Sequence, residues 1–404
     1  MTHAALATIE FAGKELTWGG RKISELASAA GQTPFYAYDL QRMTSRVAEL
    51  REALPDSMHI HYAMKANPMP EVVSHMAGLV DGLDVASAGE LEVALQTGTN
   101  VRDISFAGPG KRNPEIASAV KSGITINIES PGEMRRIAQA GDETGMRPKV
   151  GIRVNPAFEL KTAGMKMGGR PSQFGIDAEI VPEVLQELAS LDLDFRGFHV
   201  FSGSQNLRPD AIVESMGKTV DLVIELAGST ELEMDMVNIG GGLGIPYFPN
   251  EKPLLLDSVS EAAETAVGSL RSALGDIEVV TELGRFLVGE AGIYVVRVVD
   301  IKKSRGARFA VCDGGLHHHL AASGNFGQVI RKNYPVVAVT KTGKTEEVSV
   351  VGPLCTPLDL IGDRVNIDSL EIGSLVAVLQ SGAYGVTASP ARFLSHPECV
   401  EIVC

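Results

Sequence analysis

Short apolar runs alternate with longer amphipathic stretches over the first 285 residues of the chain. The amphipathic stretches, such as PGEMRRIAQAGDETG (131–145) and PEVLQELASL (182–191), repeat Ala, Glu, Leu and Arg at helical spacing. Eight apolar runs predict strands: IHYAMK (60–65), GLDVAS (82–87), ISFAG (104–108), ITINIE (124–129), KVGIRVN (149–155), GFHVFS (197–202), DMVNIG (235–240) and EVVTEL (278–283). Strands that alternate with helices predict an α/β fold with a parallel sheet and helical crossovers.

Eight strand–helix units predict a closed (β/α)₈ barrel. An open doubly wound sheet is the main alternative, and it would carry a GxGxxG turn after its first strand. No such turn follows the first predicted strand. The barrel is therefore the preferred interpretation.

The pattern changes after residue 285. Runs rich in β-branched residues are separated by turn residues there: YVVRVVDIKKS (294–304), RFAVCDGG (308–315), PVVAVTKTG (335–343), EEVSVVGP (346–353) and SLVAVLQSG (374–382). Such runs predict an antiparallel β domain. The alternating stretch 11–23 is expected to add a strand to it. The predicted domains are 1–34, N-terminal strands that join the β domain, 35–285, the barrel, and 286–404, the C-terminal β domain.

Composition and charge narrow the partners and the compartment. The chain has 404 residues and a net charge of −14, which disfavours nucleic acid and anionic membrane as partners. No apolar run reaches the length of a membrane span, and charged residues interrupt the N-terminus, so no secretory signal is expected. The four cysteines show no CxxC spacing, which argues against a zinc site. A cytoplasmic protein with free thiols is expected.

Lys65 is the first candidate for chemistry, because it ends the first predicted strand. A lysine in a dry site or beside another cation loses its proton readily and can then attack an aldehyde cofactor. A solvated surface lysine is the alternative. In a barrel, functional groups gather at the C-terminal ends of the strands, and phosphate sites often follow strands seven and eight. The other candidates at such ends are Asp84, Ser204, Gly240, Gly241, Gly242, Glu282, Gly284 and Arg285.

Seven segments carry a resemblance to a known family. They are YAMKANP (62–68), LDVASAGEL (83–91), GFHVFSGSQ (197–205), NIGGGLG (238–244), ELGRFLV (282–288), GPLCTPLD (352–359) and SGAYG (381–385). The chain resembles the fold-type III pyridoxal-phosphate decarboxylases, which include diaminopimelate, ornithine and arginine decarboxylases. The resemblance implies an alanine racemase-like barrel with a β domain, pyridoxal 5'-phosphate as the cofactor, and a homodimer with shared active sites.

The resemblance also implies roles for single residues. Lys65 would hold the cofactor covalently, Glu282 would pair with its pyridine nitrogen, and Cys355 of the partner subunit would protonate the substrate α-carbon. Asp84 and Glu90 match the paired acids near the lysine. The phosphate would be held by Gly240, Gly241, Gly242, Ser204, Gly284, Arg285 and Tyr384, with Arg153 at the ring edge.

The chain departs from its better-known relatives at two positions. Phe201 stands where most of them stack a histidine on the cofactor, and it can stack but carries no proton. His199 either partly replaces that imidazole or packs in the core. Thr356 follows the cysteine where an acid usually recognises a distal amine, and a neutral threonine does not pair with an ammonium. These departures weaken an assignment to lysine, ornithine or diaminopimelate.

Together with MKMGGRPSQFGID (165–177) and GGLHHHLAASGNFG (314–327), the departures resemble a subgroup from biosynthetic clusters. One member decarboxylates glutamate tethered to a carrier protein, and other members are exosortase-associated. The expected substrate is an amino acid, either free or tethered to an acyl-carrier protein. Asp313 either binds a polar group of the substrate or satisfies its own turn, and Arg331 is a candidate partner for a substrate carboxylate. Three adjacent histidines, 317–319, rarely converge on one ion, so no metal is expected.

Two alternatives remain on the same fold. Racemases of this fold favour an arginine at the pyridine nitrogen, and Glu282 argues against that activity. A non-catalytic regulator would tend to lose the lysine or the cysteine, and both Lys65 and Cys355 are retained. The preferred hypothesis is α-decarboxylation by a carboxy-lyase dependent on pyridoxal phosphate.

Overall fold

The computed structural model describes residues 3–158, 165–166, 171–328 and 330–404. The chain divides into two compact units. The barrel unit comprises residues 46–244 and 254–286, and the β unit comprises residues 1–45, 245–253 and 287–404. The sequence-based division placed its boundaries after residues 34 and 285. Residues 245–253, which the sequence assigned to the barrel, pack within the β unit.

The barrel unit is a closed ring of eight parallel strands, which confirms the predicted fold class. The strands are Met58–Ala63, Gly82–Val85, Ile104–Phe106, Thr125–Ile128, Lys149–Asn155, Asp194–Val200, Met236–Gly241 and Glu278–Leu283. The eighth strand pairs with the first, with Glu282 beside His61, and so closes the ring. The first strand ends at Ala63, two residues earlier than predicted. Lys65 therefore lies in the 3₁₀ turn Met64–Ala66 that follows the strand.

Helices connect the strands on the outside of the barrel. The helices of the chain are Ile23–Ala30, Leu40–Ala53, Pro70–Ala77, Ala88–Gln96, Asn113–Ser122, Pro131–Thr144, Val181–Leu188, Pro209–Ala227, Asp257–Leu274 and Arg285–Val288. Pro131–Thr144 begins at a serine cap, where Ser130 accepts a hydrogen bond from the Glu133 amide, and it buries Met134 and Ile137. No helix in the described ranges has the length and apolar character needed to cross a bilayer.

A belt of polar side chains links four neighbouring strands inside the barrel. Ser105 donates a hydrogen bond of 2.6 Å to Asp84 Oδ1, and His61 Nδ1 lies 3.2 Å from the same oxygen. Asn127 Nδ2 donates to Ser105 Oγ at 3.2 Å. All four side chains are buried. Because buried polar groups need partners, the belt fixes Asp84 within the barrel interior.

The β unit is a mixed sheet, whereas the sequence analysis expected an antiparallel one. Its strands are Phe35–Tyr38, Gly292–Ser304, Ala307–Cys312, Val336–Ala338, Thr345–Val351, Leu360–Asp368, Leu375–Val378 and Val400–Val403. Most pairs are antiparallel. Two are parallel, Ala307–Cys312 with Thr345–Val351 and Val400–Val403 with Phe35–Tyr38. The next strand along the chain after Ala307–Cys312 is Val336–Ala338, which lies at the other end of the sheet, and strand direction after such a crossing is not fixed by a local pattern.

The N-terminal stretch forms a small sheet of its own. Its strands are Glu10–Ala12, Glu15–Trp18 and Arg21–Lys22, and they pair consecutively. One isolated bridge, Glu15 with Thr340, connects them to the later strands. The shared apolar core of the β unit contains Ala5, Leu16, Trp18, Ile23, Leu26, Phe35, Ala37, Ile293, Val295, Val339, Ala377 and Leu379. Hydrophobic burial thus joins the N-terminal strands to the β unit.

His319 is a neutral, buried histidine of the β unit. Its Nδ1 accepts a hydrogen bond from the Ala322 amide at 3.3 Å, so Nε2 carries the proton that it donates to Ser381 Oγ at 2.9 Å. The rings of Tyr36, Tyr294 and Tyr334 surround it. Burial lowers the pKa of His319 from 6.5 to about 3.

We expect His319 to make the protein less stable in acid. Between pH 6.5 and about 3 the unfolded chain binds a proton here that the folded chain does not, so the free energy of unfolding falls as the pH falls through this window. The loss approaches about 1.4 kcal/mol per pH unit. Urea unfolding at pH 7 and pH 5 should show a shallower pH dependence in His319→Gln. Equal pH dependence in both proteins would contradict the assignment.

Candidate active site

Lys65 and Glu282 form an ion pair at the C-terminal end of the barrel. Lys65 Nζ lies 3.0 Å from Glu282 Oε1. The lysine side chain is 45% exposed and the glutamate side chain 5%, so a solvent-accessible amine contacts a buried carboxylate. Burial by itself would raise the pKa of Glu282, but Lys65 and His199 hold that pKa well below its usual range. The carboxylate is therefore ionised at neutral pH.

His199 and Phe201 stand beside this pair. His199 Nε2 lies 3.1 Å from Glu282 Oε2, and the histidine is buried. It therefore contacts the site's carboxylate and is more than a core side chain. The Phe201 ring centroid lies 5.5 Å from Lys65 Nζ, within reach of a cation–π contact. The two residues share one face of the sixth strand and its continuation, as alternation along the strand predicts.

A cradle of backbone follows the sixth and seventh strands. Gly240 and Gly242 adopt φ of +72° and +88°, which favour glycine. A Cβ on Gly242 would lie 2.1 Å from the Gly203 carbonyl oxygen on the facing loop. It would also contact the α-carbon of Ser204, the next residue of that loop. The Asn206 amide donates to the Gly242 carbonyl at 3.0 Å and ties the two loops together. Ser204 and the glycine run, distant in sequence, thus lie side by side.

The other loops of the barrel unit complete this end. Gly284 follows the eighth strand, and a Cβ there would lie 2.9 Å from the Ala63 carbonyl oxygen, just before Lys65. Arg285 begins the short helix Arg285–Val288. Glu90 accepts a hydrogen bond from the Ala86 amide at 2.6 Å. Burial raises the pKa of Glu90, although the nearby Lys65 opposes this. Glu90 thus interacts electrostatically with Lys65, and its role as one of the paired acids stays a prediction.

The barrel unit also holds a group of four charged residues, most of which the sequence analysis did not select. Arg153 lies on the fifth strand and its Nη1 donates a hydrogen bond of 2.8 Å to Glu129 Oε1. Lys111 and Glu133 form a second buried pair at 3.2 Å. Of these four residues, only Arg153 was chosen from the sequence. Glu129 directly follows the fourth strand, so the rule that functional groups gather at strand ends would have found it.

Cys355 and Thr356 lie in a loop of the β unit. Cys355 is exposed. The Thr356 hydroxyl accepts a hydrogen bond from the Leu358 amide at 3.3 Å. The loop is fixed by Asp359, which the sequence analysis also missed: its buried carboxylate accepts bonds from the amides of Leu354 at 2.8 Å and Leu316 at 2.6 Å. Asp359 stands in the quoted GPLCTPLD segment, and a carboxylate in an apolar turn is the signal for it.

The remaining candidates in the β unit are engaged locally. Asp313 accepts hydrogen bonds from Thr33 Oγ1 at 2.5 Å and from the Arg297 amide at 2.8 Å, so both carboxylate oxygens have partners within the unit. These contacts favour the interpretation in which Asp313 satisfies its own turn. Arg331 Nη2 donates to the Leu360 carbonyl at 2.5 Å, and a substrate contact remains a prediction. Tyr384 adopts φ of +54°, and its ring lies 6.3 Å from that of Phe326.

The three adjacent histidines take separate environments. His318 Nε2 contacts the Pro397 carbonyl at 2.9 Å, and His319 contacts Ser381. The His317 ring is tilted against that of His318, with ring centroids 3.8 Å apart. Within the described ranges, no group of three or more histidine, cysteine or acidic residues is placed to hold a metal ion.

The barrel residues fit pyridoxal 5'-phosphate. An accessible lysine amine can bind its aldehyde, and the ionised Glu282 beside that amine suits a protonated ring nitrogen. The glycine run and Ser204 form a backbone cradle that a Cβ would fill, and such a cradle suits the phosphate. Phe201 offers an aromatic face for the ring.

Comparison with known proteins agrees with this geometry. Residues 40–289 match the family described as pyridoxal-dependent decarboxylase, pyridoxal binding domain. The chain is 37% identical over 380 residues to the decarboxylase of the L-glutamyl group on the BtrI acyl-carrier protein from Niallia circulans, covering 92% of this chain and 89% of that protein. It is 30% identical over 399 residues to diaminopimelate decarboxylase of Aquifex aeolicus, covering 98% and 92%.

The solved structures give the same result. Diaminopimelate decarboxylase from M. jannaschii in complex with L-lysine superposes with a TM-score of 0.88 at 25% identity, covering 99% of this chain and 93% of that chain. The expected cofactor, pyridoxal phosphate, and the expected reaction class, carboxy-lyase, are thereby confirmed. Since the family match spans more than half of the chain and relatives at 30% identity or more align over nearly all of it, the chain belongs to the pyridoxal-dependent decarboxylases.

Proposed function

We propose that the chain decarboxylates an α-amino acid tethered to an acyl-carrier protein in preference to a free diamino acid. The observation that carries this proposal is Thr356, which follows Cys355 where better-known relatives place an acid. Its hydroxyl accepts a hydrogen bond from the Leu358 amide and carries no charge, so it does not form the ion pair with a distal ammonium that an acid forms. The relative from Niallia circulans, whose name gives a carrier-bound glutamyl group as its substrate, supports the same choice.

The residues of the chain divide the work of the reaction. Pyridoxal phosphate, when bound, supplies an electron sink for the pair left on the α-carbon as CO₂ departs. Lys65 would hold the cofactor through its aldehyde and would release it to the substrate amine. Glu282, held ionised by Lys65 and His199, would keep a proton on the ring nitrogen. Cys355 of a second subunit would deliver a proton to the α-carbon.

The preference is tested by measuring CO₂ release from the cofactor-loaded protein. The substrates are free L-glutamate, free diaminopimelate, lysine and ornithine, and an L-glutamyl group on a carrier protein. We expect kcat/KM for the carrier-bound group to exceed that of each diamino acid by at least about tenfold, because an unpaired ammonium costs binding energy. A diamino acid that is processed faster would refute the carrier-bound assignment while leaving decarboxylation intact.

We further propose a homodimer in which each site combines Lys65 of one subunit with Cys355 of the other. Cys355 is exposed in the single chain, which suits a residue that acts on a second copy. Lys65→Ala and Cys355→Ala are each expected to be nearly inactive. Co-expressed in equal amounts, they should regain about a quarter of wild-type activity, since half the dimers would carry one intact site. Activity no higher than that of the separate variants, in a dimer demonstrated by sedimentation, would exclude shared sites.

A further inference from the structure

We propose that Glu129 is a positioning residue that holds the Arg153 guanidinium in place for the bound cofactor. The inference rests on the proposed cofactor site and adds a residue to it. Arg153 alone does not define its own geometry, because an arginine side chain has many rotamers. The contacts around Glu129 remove that freedom.

Glu129 is fixed by three donors. Its Oε1 accepts hydrogen bonds from Arg153 Nη1 at 2.8 Å and from the Gly108 amide at 2.5 Å. Its Oε2 accepts a hydrogen bond from the Gly175 amide at 2.9 Å. Burial raises the pKa of Glu129, but Arg153, the Gly175 amide and Lys111 together bring it below its usual value. The carboxylate is thus ionised and held by backbone amides of two separate loops.

A second buried ion pair, formed by Lys111 and Glu133, supports the position of Glu129. Lys111 Nζ contacts both Glu133 oxygens at 3.2 Å and donates to the carbonyls of Gly108 and Asn127 at 2.8 and 2.7 Å. Glu133 Oε2 also accepts a hydrogen bond from the Glu129 amide at 2.8 Å. The four side chains alternate in sign and sum to zero charge. Buried charges persist in proteins when they are paired and hydrogen-bonded in this way.

Arg153 connects this network to the candidate active site. Arg153 on the fifth strand is in register with His199 on the neighbouring sixth strand, and the His199 imidazole contacts Glu282. The Phe174 ring lies 5.1 Å from the guanidinium carbon and supports its face. An arginine side chain carries five N–H donors, and Glu129 accepts from one of them at Nη1. The arginine is therefore held at the level of the barrel where Lys65 and Glu282 act.

A double-mutant cycle on cofactor affinity tests this role. The proteins are wild type, Glu129→Gln, Arg153→Gln and the double variant, each stripped of cofactor and titrated with pyridoxal phosphate. We expect Glu129→Gln to weaken binding about tenfold in the wild-type background and to have almost no effect once Arg153 is replaced. An equal loss in both backgrounds, or no loss in either, would overturn the positioning role.

Two controls separate positioning from general damage. Glu187→Gln removes an exposed carboxylate from an equally well-formed pair with Arg135, at 2.6 and 2.9 Å, and is expected to bind cofactor like wild type. Urea unfolding of the apoproteins reports stability directly, and Glu129→Gln should lower it in both Arg153 backgrounds. A purely structural Glu129 would lower cofactor affinity by the same factor in both backgrounds, and that result would contradict the proposal.

The outcome is distinguishable from failure of the cofactor site itself. Wild-type protein that takes up no pyridoxal phosphate would refute the site on which the inference rests. Wild-type protein that binds cofactor and releases CO₂, combined with additive effects of the two substitutions, would refute the role of Glu129 alone.

Discussion

Replacing Lys65 by alanine is expected to lower kcat by at least about 10³-fold, because alanine removes the nucleophilic amine that we expect to bind the cofactor. Lys65 Nζ is the accessible partner of the buried Glu282, at 3.0 Å. Wild-type protein loaded with pyridoxal phosphate and treated with borohydride should retain the cofactor on Lys65 in a peptide mass map. The alanine variant should retain none.

The matched control is Lys65→Arg. Arginine preserves the positive charge beside Glu282, but its guanidinium stays protonated and does not attack an aldehyde. We expect this variant to be as inactive as Lys65→Ala while keeping more of the stability of the apoprotein. Substantial activity in either variant, or a borohydride adduct at a different lysine, would show that Lys65 is not the cofactor-binding residue.

Glu282→Gln is expected to give the second large effect, a fall in kcat of about 10²- to 10³-fold. A neutral amide does not hold a proton on the ring nitrogen as an ionised carboxylate does, so the electron sink is weaker. Lys65 and His199 keep the pKa of Glu282 well below its usual range, so its carboxylate is ionised throughout the neutral region. The acid limb of the pH–rate profile near neutrality should therefore arise from another group. Steady-state kinetics of CO₂ release over pH 5 to 9 measures both effects.

Two further variants separate charge from shape at this position. Glu282→Asp keeps the charge on a shorter side chain and should retain more activity than Glu282→Gln. His199→Gln removes the imidazole 3.1 Å from Glu282 Oε2 and should cause a smaller loss of kcat. If Glu282→Gln were as active as wild type, the carboxylate would have no part in stabilising charge on the cofactor.

Local pattern was sufficient for much of the barrel. A strand buried on both faces needs an apolar run, and a helix over it needs a repeat near 3.6 residues, so both signals are contained within single segments. Six of the predicted strands begin within one residue of the observed strands and end within two residues of them, among them Lys149–Asn155 and Glu278–Leu283. Lys65, Glu282 and the glycine run followed from their positions at strand ends together with the family resemblance.

The local pattern could not predict which distant segments pair with one another. Glu282 contacts Lys65 and His199 only because the eighth strand closes the ring against the first and the imidazole reaches across the interior. The bond from Arg153 to Glu129 likewise depends on the register of the fourth and fifth strands. The mixed character of the second sheet follows from pairings between distant strands, such as Ala307–Cys312 with Thr345–Val351, which no periodicity encodes.

The sequence by itself determined the elements of this protein and its barrel and pointed to Lys65 as a candidate residue, because hydrophobic period and residue type act over a few neighbouring positions. The tertiary structure decided which charges meet. It showed His199 to be a partner of Glu282, brought Ser204 against the glycine run, and revealed Glu129, Lys111 and Glu133 as a buried network under Arg153. Ion pairing in a low-dielectric interior depends on distances of a few ångströms between residues far apart in the chain, and only the closed barrel sets those distances.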